Sequence, residues 1–107
     1  MEKDDVRSLL SEIAEVLAAG CEDAAVMVRD ALSGPEEALE TFLVSNELWG
    51  GAGSIADQSC IDDQARRKTL EGLLVRLGRL QIGARKINVR TEMWVTAFEK
   101  GRRTGAR

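Results

Sequence analysis

The sequence is typical of helix on both sides of one stretch, Ser45-Asn46-Glu47-Leu48-Trp49-Gly50-Gly51-Ala52-Gly53-Ser54-Ile55-Ala56-Asp57. Three of the ten glycines fall within four positions here, beside one of only two tryptophans. Glycine reaches positive φ without a steric cost, so Gly50 and Gly51 can reverse the chain while Trp49 is held against the core. The stretch therefore predicts a specific turn in the middle of a helical protein rather than a flexible tether.

The end of this stretch has the spacing of a helix start. Ser54 is followed three residues later by Asp57, as in a box where the serine accepts a hydrogen bond from an amide of the new turn. A glycine turn before a helix is also typical of phosphate-binding loops. However, no Lys or Arg occurs between Arg29 and Arg66, and nearby carboxylates would repel a phosphate. We interpret Gly50, Gly51, Gly53 and Ser54 as a structural turn.

Apolar residues at helical spacing predict five helical segments and no strand. The fold class is therefore all-α, a compact bundle of four main helices plus a shorter element, with the glycine-rich turn in the middle. The expected segments are Asp5 to Ala19, Glu22 to Leu32, a third that starts at Ser33-Gly34-Pro35-Glu36 and ends near Val44, Asp62 to Lys86, and Asn88 to Lys100. The restart of the fourth is expected at a second box, Ser59 and Asp62.

Each helix has one apolar stripe that we expect to face the core. On the longest helix, Val75, Gly78 and Ile82 lie opposite the leucine stripe, so we predict that another helix or a second copy of the chain covers them. The expected inward residues are Val6, Leu10, Ile13 and Leu17; Ala24, Met27, Val28 and Ala31; Ala38, Leu39, Phe42 and Leu43; Leu70, Leu73, Leu77, Leu80 and Ala84; and Met93, Trp94, Ala97 and Phe98.

Length and composition set the broad class. The 107 residues predict a single domain, residues 1–107, with Gly101 to Arg107 frayed. No secretory signal or membrane span is recognisable, which favours a cytoplasmic protein in which Cys21 and Cys60 are plain thiols. The sequence contains no histidine and no tyrosine, so the usual general base is missing. We predict a protein that is not an enzyme and needs no metal or cofactor.

Charge is divided unevenly along the chain. Residues 1–63 carry 15 acids and 3 bases, and residues 64–107 carry 12 bases and 3 acids, so the balances of −12 and +9 give the net charge of −3. One interpretation is that the two halves neutralise each other. Another is that the acidic half binds a basic protein, because the 36 residues between Arg29 and Arg66 hold eight acids and no base. Aromatic interleaving is absent from the basic half, so nucleic acid is not an expected partner.

The residues Gly50, Gly51, Gly53, Ser54 and Asp57 also carry a resemblance. The run 50–57 resembles the Gly-Gly-x-Gly-Ser-apolar-x-Asp signature of a family of small uncharacterised bacterial domains, although Ala56 stands where a polar residue is expected. The leucine-rich first helix fits as well, so the resemblance covers about the first two thirds of the chain. It implies an all-helical bacterial domain, and small proteins of this sort resemble immunity proteins that neutralise toxins.

Three functions remain open from the sequence. The leading hypothesis is an interaction protein, immunity-like, that binds a basic protein through Glu36, Glu37, Glu40, Glu47, Trp49 and Asp57. For Trp49 a place in the core is the favoured interpretation over a role as a partner anchor, because the chain has only four aromatic residues. The second is a homodimeric helical regulator that pairs through Val75, Gly78 and Ile82. The third is a small ligand- or cation-binding protein that uses Asp57, Asp62 and Asp63.

Overall fold

Six helices follow one another in residues 3–58 and 60–103, which are the residues that the computed structural model describes. No strand occurs in those ranges, so the predicted all-α fold is confirmed. Five helices match the predicted segments, and the additional one is a single turn inside the glycine-rich stretch. The helices are α1 (Lys3–Ala18), α2 (Glu22–Ser33), α3 (Glu36–Leu43), α4 (Asn46–Trp49), α5 (Gln64–Ala84) and α6 (Thr91–Arg103).

The longest helix, α5, is the centre of the bundle because it packs against both α1 and α6. The leucines at 70, 73, 74 and 77 are buried, and so are Val75 and Gly78 on the opposite face. Ile82 is partly buried against the same core. A Cβ added to Gly78 would collide with the side chain of Val95 on α6. This second apolar face is thus covered within the chain.

Local hydrogen bonds explain where the later helices begin. The Ser45 Oγ accepts from Leu48 N at 3.3 Å and caps α4, and the Asp63 carboxylate accepts from Ala65 N at 2.9 Å and caps α5. Before α6, Thr91 Oγ1 accepts from Asn88 N at 3.0 Å. The second predicted box includes Ser59, which lies outside the described residues. The described start of α5 uses Asp63 instead.

Two predicted boundaries are wrong. Ser33 does not cap α3, because it is the last residue of α2, and Pro35 takes the N-cap position with φ −66° and ψ 160°. The last helix also does not end at Lys100, because α6 continues to Arg103, and the fraying of residues 101–107 stays a prediction. Residues 104–107 lie outside the described residues.

The predicted inward faces of three helices need correction. On α2 the buried residues are Ala25, Val28 and Ala31, while Met27 is 38% exposed. These small side chains let α2 approach α1 closely, which leaves the longer Met27 at the edge of the contact. On α6, Thr91, Val95 and Phe98 are buried, so the face is rotated from the predicted one and Met93 is 52% exposed. The other predicted inward residues that are exposed are Ala38 and Ala97, and Ala24, Leu80, Ala84 and Trp94 are partly buried.

The two cysteines form a disulfide between Cys21 and Cys60, so the prediction of plain thiols is wrong. Cys21 is the N-cap residue of α2, and Cys60 follows the glycine-rich stretch. The two cysteines are 39 residues apart in sequence, so no local pattern predicts that they lie close together in the fold. Across residues 3–58 and 60–103, we find no helix with the length and apolar character needed to cross a bilayer.

Candidate functional site

Trp49, a predicted partner-binding residue, is part of the core. It is 0% exposed, and its indole Nε1 donates to Gln81 Oε1 at 3.0 Å. The Gln81 amide in turn donates to the carbonyl oxygens of Leu43 at 2.7 Å and Lys86 at 2.9 Å. Because the side chain has no surface left for a partner, the prediction that Trp49 binds one is wrong.

The structural reasons for the glycines of the turn differ from those predicted. Gly50 has φ −69°, and a Cβ there would clash with the Asn46 carbonyl oxygen, so close approach of the backbone requires glycine. The positive φ belongs to Gly53, at +87°. Trp94 on α6 adds a further tie, since its Nε1 donates to the carbonyl oxygens of Trp49 at 2.9 Å and Gly50 at 3.1 Å. The backbone path is therefore set by contacts with α6 as well as by glycine.

The predicted box at Ser54 and Asp57 has its hydrogen bonds but starts no helix. Ser54 Oγ accepts from Asp57 N at 3.2 Å, and Asp57 Oδ2 accepts from Gly53 N at 3.1 Å. The next residue, Gln58, has φ +57°, which ends the turn. The segment 50–58, here called the glycine loop, folds back on α4 because Ile55 N donates to Glu47 O and Ala56 N to Leu48 O, both at 2.9 Å.

The glycine loop forms one side of an open surface groove. Two adjoining depressions of about 420 and 620 Å³ share Met27 and Glu47. The first is bounded by the start of α2, the disulfide and the glycine loop, and the second by α3. We call their union the acidic groove; its lining residues are Gly20, Cys21, Glu22, Asp23, Ala24, Met27, Pro35, Glu37, Ala38, Thr41, Phe42, Ser45, Glu47, Gly53, Ile55 and Cys60.

Charge in the acidic groove has one sign. Glu22, Asp23, Glu37 and Glu47 supply four carboxylates, and no described residue that lines it is a lysine or arginine. Met27 lies where the two depressions meet, and its exposed surface together with Ile55 and Phe42 makes the floor apolar. An apolar floor within a charged rim is the common arrangement of a protein-binding surface.

The sequence-predicted acids divide into two groups. Glu37 and Glu47 line the acidic groove, whereas Glu36 and Glu40 are not among its lining residues. The Glu40 carboxylate lies 3.4 Å from the Lys86 ammonium, so at this point the acidic and basic halves do face each other. Asp57 is turned inward to the backbone of the glycine loop through Gly53. The predicted surface is thereby displaced toward α2.

The three aspartates of the cation-binding alternative do not form a site. Asp57 accepts from Gly53 N, while Asp63 caps α5 and lies 3.5 Å from Arg66. In the part of the chain that the structure describes, no group of three or more acidic or cysteine side chains is placed to hold a metal ion. The geometry therefore gives this alternative no support.

Sequence reasoning missed the contribution of α2. Met27 is predicted as a core residue, and Glu22 and Asp23 are not among the predicted site residues. The available signal was the run of small residues at 24, 25, 28 and 31, which predicts a close helix contact too narrow to cover Met27. Cys60 at the wall of the acidic groove had no sequence signal beyond the even number of cysteines.

No protein-family model, no curated protein and no solved structure matches the chain. The resemblance of residues 50–57 to a bacterial signature therefore remains a prediction.

Proposed function

We propose that this protein is a non-enzymatic interaction module whose acidic groove binds a basic protein, in the manner of an inhibitor or an immunity protein. The single observation that carries the proposal is the composition of the groove, with four carboxylates around an exposed methionine and no base among its described lining residues. A basic partner that also presents an apolar side chain to Met27 matches both features.

The charge pattern supports a partner over a merely solvated face. The glycine loop, α3 and α4 all lie in the stretch between Arg29 and Arg66, which contains no base. Interleaved lysines would relieve repulsion among the acids at little cost, and none is present. A field of one sign speeds the association of an oppositely charged partner, and salt weakens this effect.

The homodimer alternative loses the observation on which it rested. Val75 and Gly78 are both buried within the chain, and Gly78 lies against Val95 of α6 and the Trp49 ring, so neither needs a second copy of the chain as a cover. We therefore propose a heterologous partner.

We propose a cytoplasmic location, as the sequence predicts. In that compartment the Cys21–Cys60 disulfide persists only if its reduction potential lies below that of the glutathione and thioredoxin pools.

The test is capture of the partner at low salt with a charge-matched control. The bait is the wild-type chain, the groove variant Glu37→Lys with Glu47→Lys, or the control variant Glu15→Lys with Glu92→Lys, which reverses two exposed acids on α1 and α6. We expect a basic protein that the wild-type and control baits retain and the groove variant loses. Retention of the same protein by all three baits, or capture of an acidic protein, would contradict the proposal.

A further inference from the structure

The disulfide between Cys21 and Cys60 belongs to the wall of the acidic groove, where both residues are lining residues. Cys21 immediately precedes α2, whose first two residues are the groove acids Glu22 and Asp23. Cys60 lies beyond the glycine loop. The bond therefore ties the α2 side of the groove to the side formed by the glycine loop.

The hydrogen bonds from the glycine loop to the helices lead to α4 and α6. Ile55 N and Ala56 N donate to carbonyl oxygens of α4, and Ser54 Oγ donates to Gly50 O at 2.9 Å. Ile55 and Ala56 are also buried, at 4% and 1% exposed. The bonds from Ile55 and Ala56 hold the loop to α4 and involve neither cysteine. Breaking the disulfide thus removes the covalent tie between the two sides of the groove and leaves these hydrogen bonds in place.

We infer that the Cys21–Cys60 disulfide is a redox-sensitive clamp that holds the shape of the acidic groove, so that reduction by a dithiol weakens binding of a basic partner. This inference has a structural half and a regulatory half. The regulatory half, that reduction weakens binding of a basic partner, rests on the proposed function. The structural half, that the bond fixes the geometry around Met27, stands independently of any partner.

The exposure of the two cysteines indicates how the clamp opens. Cys21 is only 6% exposed, whereas Cys60 is an exposed residue, so we expect an incoming thiolate to attack the Cys60 sulfur. A bond forms between the reagent and Cys60, the Sγ–Sγ bond breaks, and the Cys21 sulfur leaves as a thiolate that takes up a proton. The second thiolate of the dithiol then displaces Cys60. The protein gains two thiols, and the dithiol is oxidised to its disulfide.

The structural half is tested by methyl NMR on protein labelled at the methionine methyl groups. Met27 reports on the acidic groove, and Met93, exposed on α6, is the internal control. Addition of dithiothreitol should shift the Met27 signal and leave that of Met93 in place, and the Cys21→Ser with Cys60→Ser variant should not respond. An unchanged Met27 signal after titration of two free thiols would overturn the clamp. Movement of both signals would also overturn it, because the bond would then hold the whole fold.

The regulatory half uses a synthetic amphipathic peptide of lysine and leucine as the basic probe. We expect the oxidised protein to bind it at low salt, and reduction to weaken binding by roughly three- to tenfold, as when a preorganised surface must re-form on binding. Equal affinity in both redox states would overturn the regulation. Binding to neither state would instead overturn the proposed function, and the regulation with it, while the clamp is still decided by Met27.

Discussion

The indole Nε1 of Trp49 donates a hydrogen bond to the side-chain Oε1 of Gln81 at 3.0 Å, and both residues are 0% exposed. This bond joins the glycine-rich stretch to the central helix across 32 positions of sequence. The Gln81 amide also donates to Leu43 O and Lys86 O, so one side chain ties the ends of α3, α4 and α5 together. Through α4 it positions one edge of the acidic groove.

Replacement of Gln81 by leucine should destabilise the protein by about 2 kcal/mol, because the Trp49 Nε1 and two carbonyl oxygens lose a buried partner. Urea unfolding measures the change. The control is Gln64→Leu at the exposed first residue of α5, where we expect less than about 0.5 kcal/mol. If Gln81→Leu and Trp49→Phe were strictly additive in the double variant, the two side chains would not be coupled as the structure indicates.

Two glycines of α5 should respond to alanine in opposite directions. Gly83 has nothing within 4 Å of the added Cβ, so Gly83→Ala should stabilise the protein by up to about 1 kcal/mol through helix propensity. At Gly78 the same Cβ collides with Val95 and lies 3.3 Å from the Trp49 ring. Gly78→Ala should therefore cost about 1–3 kcal/mol by overpacking. Thermal melting of both variants decides the matter, and stabilisation by Gly78→Ala would show that α6 does not pack closely there.

Loss of the disulfide should lower the free energy of unfolding by about 2–4 kcal/mol, mainly because the unfolded chain regains freedom. We expect Cys21→Ser with Cys60→Ser to melt at a lower temperature than the oxidised wild type and at about the same temperature as the reduced wild type. Melting with and without dithiothreitol measures this. Wild-type protein that melts identically in both conditions would show that the bond contributes no stability.

The ion pair between Glu40 and Lys86 should matter little for stability. Their side chains are 48% and 57% exposed, and exposed pairs of this kind contribute about 1 kcal/mol or less. Glu40→Gln should thus change the free energy of unfolding by under about 1 kcal/mol in low salt and by less in high salt. A larger loss in urea unfolding would favour the alternative in which the acidic and basic halves serve mainly to hold each other.

Features that depend on residues close in sequence were predicted correctly, whereas those that depend on residues distant in sequence were not. Helix period along α1 and α5 correctly predicted the all-α fold and residues such as Leu10 and Leu70 in the core. The turn at 50–53 was predicted correctly, but the reason for each glycine was not. Gly50 is required because a Cβ there would clash with the Asn46 backbone, and only Gly53 has a positive φ. Trp49 can be fully buried because its indole N–H has a buried acceptor in Gln81. Gln81 is a polar residue four positions after Leu77 on an apolar face. That spacing was the signal for a buried glutamine.

The candidate site was harder to predict because three separate segments create it. Glu37 and Glu47 were identified from charge alone, whereas Glu22, Asp23 and Met27 join them only once α2 packs against α1 through its alanines. The pairing of Cys21 with Cys60 depends on the path of the glycine loop, which no periodicity describes. Local patterns therefore predicted the charge of the surface but not its location.

The central claim is that a basic protein docks on the acidic groove, and site-specific photo-cross-linking tests it most directly. A photoreactive residue is placed at position 27, where the two depressions meet, or at position 93 on α6 as the control. After irradiation with the captured partner, mass spectrometry identifies the linked peptide. The account predicts a cross-link from position 27 to a peptide rich in lysine and arginine, and none from position 93. A cross-link from position 93 and none from position 27 would contradict it.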